Sequence, residues 1–463
     1  MTANFMTNNY VTASFDAVII GAGPAGSSAA ILLARNGWSV ALIEKQGFPR
    51  RKVCGECIAA SNLSLLASLG IGAAFEANAG PELNKVALMH GARQITADLP
   101  AAKHPQYRWG RALGRETLDT LLLEQARAAG ATILQPWSVQ KIAGSAGNWC
   151  IEIRDENSQA TQQLSALVTI AANGSWEALP SDRPKRRLAR SAVDLLAFKA
   201  NFRNVNQDKG LLALLSFNGG YGGMVVADGA IATLACCIRR DTLEALRIAS
   251  PGIRVGDIVE AMLKRECNGV KNALQSAVRE GNWLAAGPID PGIKLQSEDS
   301  LFRIGNAAGE AHPIIGEGMS MALQSAWLLC AHLVGAKNRK MMGNASWQKS
   351  VASHYATQWR QHFAYRLRLA ATFAHIAMRP AASVSLLALM RLWPGILTLG
   401  AKLGGKVRCA VSAETLSLLS PNLLSTGLLS PIDSQLPIAG PVECHIHHHK
   451  FDQNNTTTSK ELS

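Results

Sequence analysis

Acidic residues are missing from one long stretch of this chain. Between positions 318 and 413 there is no Asp or Glu, while twelve Lys or Arg fall there. The chain carries 46 Lys and Arg against 33 Asp and Glu, so this stretch holds nearly all of the formal net charge of +13. Cysteine is scarce too. Nine in 463 residues is far below the density of a disulfide-built scaffold. Six of them (Cys150, Cys236, Cys237, Cys267, Cys330 and Cys409) have no ligand-like spacing, which favours reduced thiols in a cytoplasmic protein. A targeting segment is lacking: residues 1–14 have no basic start and no apolar core, and are expected to be an unstructured lead-in. Apolar runs fit for a membrane span are lacking as well. The 318–336 run contains Ser320, Gln324, Ser325 and His332 and suits a buried helix; 380–390 is too short to cross. With 48% hydrophobic and 17% charged residues the chain is not mostly disordered, and its length suggests two or three domains.

What is present begins with a βαβ pattern. Residues 17–20 read as a buried strand, 27–35 as an Ala- and Leu-rich helix, and 40–43 as a second buried strand. An amphipathic helix is expected over 117–129, with Leu118, Leu121, Leu122 and Ala126 on one face. Strand-like runs follow at 132–134, 150–153 and 167–171. From 191 to 238 the pattern is β-rich, with GGYGG at 219–223 read as a turn. Residues 301–304 form another strand-like run, 341–419 read as mostly helical, and 420–463 as a tail. The organisation expected is an α/β dinucleotide domain with a doubly wound parallel sheet (15–80, 105–180 and 285–340), an inserted β-rich substrate domain (81–104 and 181–284) and a basic helical region (341–419).

The basic region interleaves its cations with Phe363, Leu367, Phe373, Leu386, Leu392, Trp393 and Leu397. That pattern suits a helix lying on an anionic membrane surface, peripheral to the inner membrane, and equally a packing helix with a solvated basic face. No nucleic-acid motif accompanies it, so no nucleic-acid partner is expected.

Chemistry enters with GAGPAG at 21–26. Gly21 permits the turn out of the strand, Gly23 lets backbone approach a pyrophosphate, and Gly26 lets helix and strand pack closely, with Ala25 between them. Amides at the helix start face the phosphates. Glu44 ends the next strand, where a carboxylate accepts from an adenosine ribose. A second loop reads FRIGNAAGEAHPIIGEGM at 302–319. Its Pro313, Gly316, Gly318 and Met319 lead into a helix whose positive end suits the anionic edge of a reduced flavin.

These blocks resemble the FAD-dependent group that includes p-hydroxybenzoate hydroxylase, flavin-dependent halogenases and geranylgeranyl reductases. FPRRKVCGE at 48–56 is similar to that group's PRxKxCGE segment, and Arg115, Leu118 and Asp119 match its RxxLD helix. The chain departs at Asn306 and Asn173, where the group usually has Asp. The resemblance implies bound FAD, NADH or NADPH as reductant, and Arg51, Lys52, Arg115 and Asn306 as cofactor contacts. It points most closely to monooxygenases that tailor polyketides or phenolic lipids, with a small hydrophobic or aromatic substrate. Saturation of isoprenoid double bonds is the alternative, and a membrane-associated scaffold with structural FAD is a third. The halogenase WxWxIP signature is missing.

Three side chains are candidates for catalysis. Cys54 falls on the group's own cysteine and either lines the flavin site or is a packed thiol; its neighbour Cys57 completes a CGEC without a second pair to bind zinc. His312 could bond flavin or substrate, act as an acid or base, or be structural. Tyr221 falls where related reductases line their substrate cavity, and Gly223 replaces their Trp there. No resident metal is expected. The tail cluster CHIHHHK at 444–450 is read as an incidental metal grip.

Overall fold

The computed structural model describes residues 12–180, 191–295, 301–335 and 339–420. They belong to one unit, Met1–Ser430; a second unit, Pro431–Ser463, and with it the His-rich cluster, lies outside the described residues, as do positions 1–11.

Two seven-stranded sheets organise the chain. In the first, Thr12–Ile20 lies at the centre, parallel to Val40–Ile43 on one side and to Thr161–Ala171 on the other. Thr132–Leu134 extends it in parallel, and Phe302–Arg303 joins beside 170–171. An antiparallel arm, Asn148–Asp155 and Trp137–Ser145, completes it. Parallel strands need helices on both faces, and their buried runs are apolar throughout; Val40–Ile43 is buried at every position. Helix α1 (Pro24–Arg35) starts with Pro at its first turn, and its first ten residues are buried. Helix α2 (Arg115–Ala128) packs beside it, burying Leu118, Leu122 and Ala126.

The strand Thr12–Ile20 reaches further back than composition suggested. Thr12, Ala13 and Ser14, read as lead-in, pair with Gln163, Leu164 and Ser165. Their backbone groups are satisfied by a strand far away in sequence, which local composition does not reveal.

The second sheet runs in the order Val278–Ala286, Leu195–Arg203, Ala232–Arg239, Gly220–Val226, Leu211–Phe217, Lys85–His90, Arg93–Asp98. Alternate residues divide between its faces. Phe198, Ala200, Phe202, Ala213, Leu215 and Leu234 pack with Val259, Met262 and Leu263 from the helix Val255–Glu266. The GGYGG segment is interior strand here, and only Gly219, at φ +72, makes the turn. Its glycines are required by packing: a Cβ on Gly220 would collide with the Phe217 ring, and one on Gly222 would sit 2.6 Å from the Ala235 oxygen.

Helix α3 (Gly318–Gly335) is the buried helix expected from 318–336. Its buried Ser320 and Gln324 are satisfied inside: Asn62 donates to Ser320 Oγ at 2.9 Å, and Gln324 donates to Asn62 Oδ1 at 2.7 Å. No described helix is long and apolar enough to cross a membrane. Helix α4 (Ala345–Ala377) opens on Asn344, whose side chain accepts from Trp347 N at 3.0 Å. It buries Val351, Tyr355, Trp359, Phe363, Leu367 and Ala374, a stripe at helical spacing. Helices α5 (Pro380–Leu392) and α6 (Gly395–Leu403) form a hairpin against the outer strands, where Met390 and Leu397 pack on Val86.

Candidate active site

The loop between Thr12–Ile20 and α1 shows three different reasons for glycine. Gly21 has φ +102, and a Cβ there would sit 2.5 Å from the Ala172 oxygen. A Cβ on Gly26 would collide with the Gly21 oxygen, so Gly26 permits the close helix–strand contact. Gly23 has φ −71 and ψ −178, which any residue adopts, and its Cβ would meet nothing nearer than the Arg115 guanidinium at 3.6 Å. The fold has room for a side chain at Gly23. That room belongs to a cavity, which Gly21, Gly23, Ala25, Gly316, Gly318 and Met319 all line.

Cations crowd this end. Arg115 makes a two-pronged pair with Asp119, Nε to Oδ1 and Nη2 to Oδ2, both at 2.7 Å. Burial alone would lower the Arg115 pKa, but Asp119 outweighs it and keeps the guanidinium charged. Arg50 donates to Glu44 at 2.9 Å and lies 3.7 Å from Asp119. Glu44 also accepts from the Ala22 and Gln46 amides, both at 2.9 Å, so it ties the glycine loop to the end of the second strand. Lys52 lines the same wall; burial, then the charges of Arg115 and Arg50, push its pKa down to about 8. An anion placed here would relieve all three cations.

Arg51 does not line the cavity. Its Nε lies 3.7 Å from Glu116, outside the wall. Arg50 and Lys52 line the wall, while Arg51 between them sits beside Glu116. The arginine of the PRxKxCGE pattern is in fact Arg50.

Two carboxamides follow. Asn306 donates to Ser175 Oγ at 2.8 Å. Asn173 donates to the Glu177 oxygen, and its own Oδ1 is buried with no protein partner. Both line the cavity. Beyond them Pro313 opens a short turn, Gly316 adopts φ +63, and α3 begins at Gly318, where a Cβ would meet nothing within 4 Å. Glu317 between the two glycines is fully buried and pairs with Arg366 of α4 at 3.1 Å. Burial pushes the Glu317 pKa up, opposed by Arg366 and Lys406. Lys406, from the segment after α6, reaches the cavity wall beside Gly316 and Cys57.

The second sheet closes the far end. Strand pairing forms the cross-strand rows Tyr221–Cys237–Ala197, Gly223–Ala235–Lys199 and Val225–Thr233–Asn201; of these, Tyr221, Cys237, Ala197, Gly223, Ala235 and Val225 line the cavity. Leu212 and Leu214 widen the apolar wall. Where the first row is bulky, the second begins with a glycine and an alanine, so the space deepens there. Below it lies a buried polar knot. Glu56, at φ +59, accepts from Lys199 Nζ, from Thr233 Oγ1 and, at 3.0 Å, from Arg115 N. Lys199 and Glu56 are 1% and 2% exposed, so each neutralises a charge that burial would otherwise make costly.

Of the three catalytic candidates, Cys54 and Tyr221 line the cavity and His312 does not. The Cys54 thiol accepts from Glu56 N at 3.3 Å and lies beside the Arg115 guanidinium. Cys54 and Cys57 are both free thiols. The His312 ring sits behind Tyr221, with Nδ1 at 3.2 Å from the tyrosine hydroxyl. Burial, then neighbouring His375, pushes the His312 pKa down to about 4, so the imidazole is neutral near pH 7. Burial pushes the Tyr221 pKa well up, so the phenol keeps its proton.

Sequence reasoning missed Arg50, Glu56, Lys199, Glu317 and Lys406. Arg50, Glu56 and Glu317 stood inside quoted motifs. Lys199 and Lys406 come from distant elements and carry no local pattern.

The family model of the FAD binding domain matches residues 14–277, more than half of the chain. Conditioned medium factor receptor 1 of Dictyostelium discoideum is 25% identical over 386 residues, 78% of this chain and 70% of that protein. Digeranylgeranylglycerophospholipid reductase 2 of Methanopyrus kandleri is 22% identical over 78% of this chain and 87% of its own. Kynurenine 3-monooxygenase of Stenotrophomonas maltophilia is 32% identical over a shorter 177 residues, 37% of that protein. Among solved structures, the myxobacterial chondrochloren halogenase superposes with a TM-score of 0.67 at 18% identity, covering 91% of this chain and 98% of that one. At that identity the likeness is one of fold.

Proposed function

Because this chain belongs to the FAD binding domain family and is an FAD-dependent oxidoreductase, we propose that it is a cytoplasmic monooxygenase using NADH or NADPH and oxygen. Its substrate is apolar: an aromatic polyketide or a phenolic lipid. One observation carries this reading: a single cavity runs from the 21–26 glycine loop to the apolar face of the second sheet. Residues 15–80, 105–180 and 285–340 form the cofactor domain in this reading, and 81–104 with 181–284 the substrate domain.

The residues present suit FAD. The open position at Gly23 and the cations Arg50, Lys52 and Arg115 suit an anionic group, and the unpartnered Asn173 Oδ1 suits a hydroxyl donor. Bound FAD would carry electrons between the nicotinamide, oxygen and substrate. The chain supplies everything else. Arg50, Lys52 and Arg115 offset pyrophosphate charge, and Glu44 offers acceptors to the adenosine ribose. Asn173 and Asn306 suit the ribityl hydroxyls. The amino end of α3, with Lys406 beside it, presents positive charge to the flavin's pyrimidine edge. Leu212, Leu214 and Val225 exclude water, and Tyr221, bonded to neutral His312, holds a proton at the wall.

The likeness to the Methanopyrus reductase, along most of both chains, favours one second reading: saturation of isoprenoid double bonds. Isotopically labelled oxygen separates the two. A monooxygenase places one labelled atom in the product and consumes NAD(P)H in step with it. A reductase turns over anaerobically, its product heavier by hydrogens alone. A chain that keeps FAD and does neither with apolar aromatic or prenyl substrates would contradict both and leave FAD as a structural cofactor.

A further inference from the structure

The α5–α6 hairpin carries more exposed apolar surface than a water-facing element tolerates. Leu389, Leu392 and Trp393 are 51%, 85% and 68% exposed, and Leu399 and Leu403 are 52% and 43% exposed. All five fall within fifteen residues at and around the hairpin turn. Its inward residues are accounted for: Met390 and Leu397 are buried against Val86, with Leu386 and Ile396 alongside. The hairpin is therefore apolar on two sides, and only one has a partner among the described residues.

Charge identifies what covers the other side. Arg379, Arg391 and Lys402 are exposed around the patch, and none forms an ion pair with the described residues. No acid occurs from 318 to 413. A second copy of the chain would set two hairpins that carry cations and no acid against each other, with the exposed Asp98 beside Thr398 as a nearby acid. An anionic lipid surface offers apolar depth for Leu392 and Trp393 and phosphates for the three cations. Trp suits the headgroup level, where one end of the ring is wet.

We propose that the α5–α6 hairpin docks this enzyme onto anionic membrane, with Leu392 and Trp393 entering the headgroup region and Arg379, Arg391 and Lys402 pairing with lipid phosphates. The contribution is confined to the hairpin. In α4, where basic and apolar residues also interleave, Phe363 and Leu367 are core and Arg366 is held by Glu317. The place of docking has a use. Leu214 lines the cavity and also packs in the hairpin's own apolar cluster, so the membrane would lie just outside the wall of the proposed substrate site. The docking itself stands on exposure and charge, whatever the substrate.

The test is sedimentation of full-length, FAD-loaded protein with vesicles of phosphatidylcholine alone, or of equimolar phosphatidylcholine and phosphatidylglycerol, at low and high salt. Wild type should bind the anionic vesicles at low salt and release as salt rises. Arg379→Gln, Arg391→Gln and Lys402→Gln together should weaken partitioning about a hundredfold, at roughly fivefold per cation. Leu392→Ser with Trp393→Ser should abolish binding while flavin absorbance is kept. FAD content and the thermal unfolding midpoint, measured alongside, should be unchanged in both variants, so loss of docking and loss of folding are read separately. Wild type that stays in solution overturns the proposal, as does binding that neither variant reduces. A wild-type dimer that becomes monomeric with Leu392→Ser and Trp393→Ser, and ignores vesicles, also overturns it: the patch is then a self-interface.

Discussion

Gly23 separates what the fold needs from what the ligand needs. At Gly21 a side chain would strain the backbone and strike the Ala172 oxygen; at Gly23 it would enter the cavity. Gly23→Val is therefore expected to fold normally and to purify colourless, with unchanged circular dichroism and no flavin absorbance. Retention of FAD by that variant would move the pyrophosphate elsewhere. Lys52 gives a pH signature at the same wall. Its ammonium is disfavoured in the free protein, with a pKa of about 8, and a bound pyrophosphate would favour it. FAD binding should then take up a proton above about pH 8, so affinity falls as pH rises, by a limiting factor of about tenfold per unit. Lys52→Met should bind more weakly and lose that slope; titration of FAD fluorescence at several pH values checks both. The glycine loop was legible as a loop, because Gly21, Gly23 and Gly26 are close in sequence and all three meet at one end of the cavity or of its packing. Arg51 is a question of which way a side chain points, and the folded segment puts Arg50 and Lys52, not Arg51, on the cavity wall.

Elements are held in place by pairs the sequence keeps far apart. Glu317, between Gly316 and Gly318 on the cavity wall, and Arg366 on α4 are both buried and joined at 3.1 Å. Arg366→Met would leave Glu317 buried with only Lys406 nearby, costing about 3 kcal/mol or more. Thermal unfolding should show a lowered midpoint, and Glu317→Gln in the same chain should restore part of it. A single variant as stable as wild type would mean that Lys406 alone neutralises Glu317. The helices themselves were readable from their apolar periodicity, α2 to within two residues at its start. The role of α4 was less so: its Phe363 and Leu367 satisfy a membrane pattern and a core pattern equally, and only the buried partner decides. The strand at Gly220–Val226 misled for a related reason. Glycines usually mark turns, and here they mark a crowded sheet.

At the scale of the whole molecule, one cavity joins the sheet that carries the glycine loop to the sheet that supplies the apolar wall. The first half was visible in ordered motifs. The second was not, since Gly223, Ala235 and Lys199 become neighbours only through strand pairing. The central claim is that substrate lies against that wall within reach of the flavin. The most direct measurement is the flavin difference spectrum of FAD-loaded protein titrated with an apolar aromatic ligand, in wild type and in Ala235→Phe. Ala235 faces Gly223 across the strands, so the added ring fills the deepest part of the proposed substrate space. The account predicts a saturable spectral shift in wild type, and in Ala235→Phe full FAD content with affinity reduced by about tenfold or more. Equal affinities in the two proteins, or ligand binding that leaves the flavin spectrum unmoved, would contradict it.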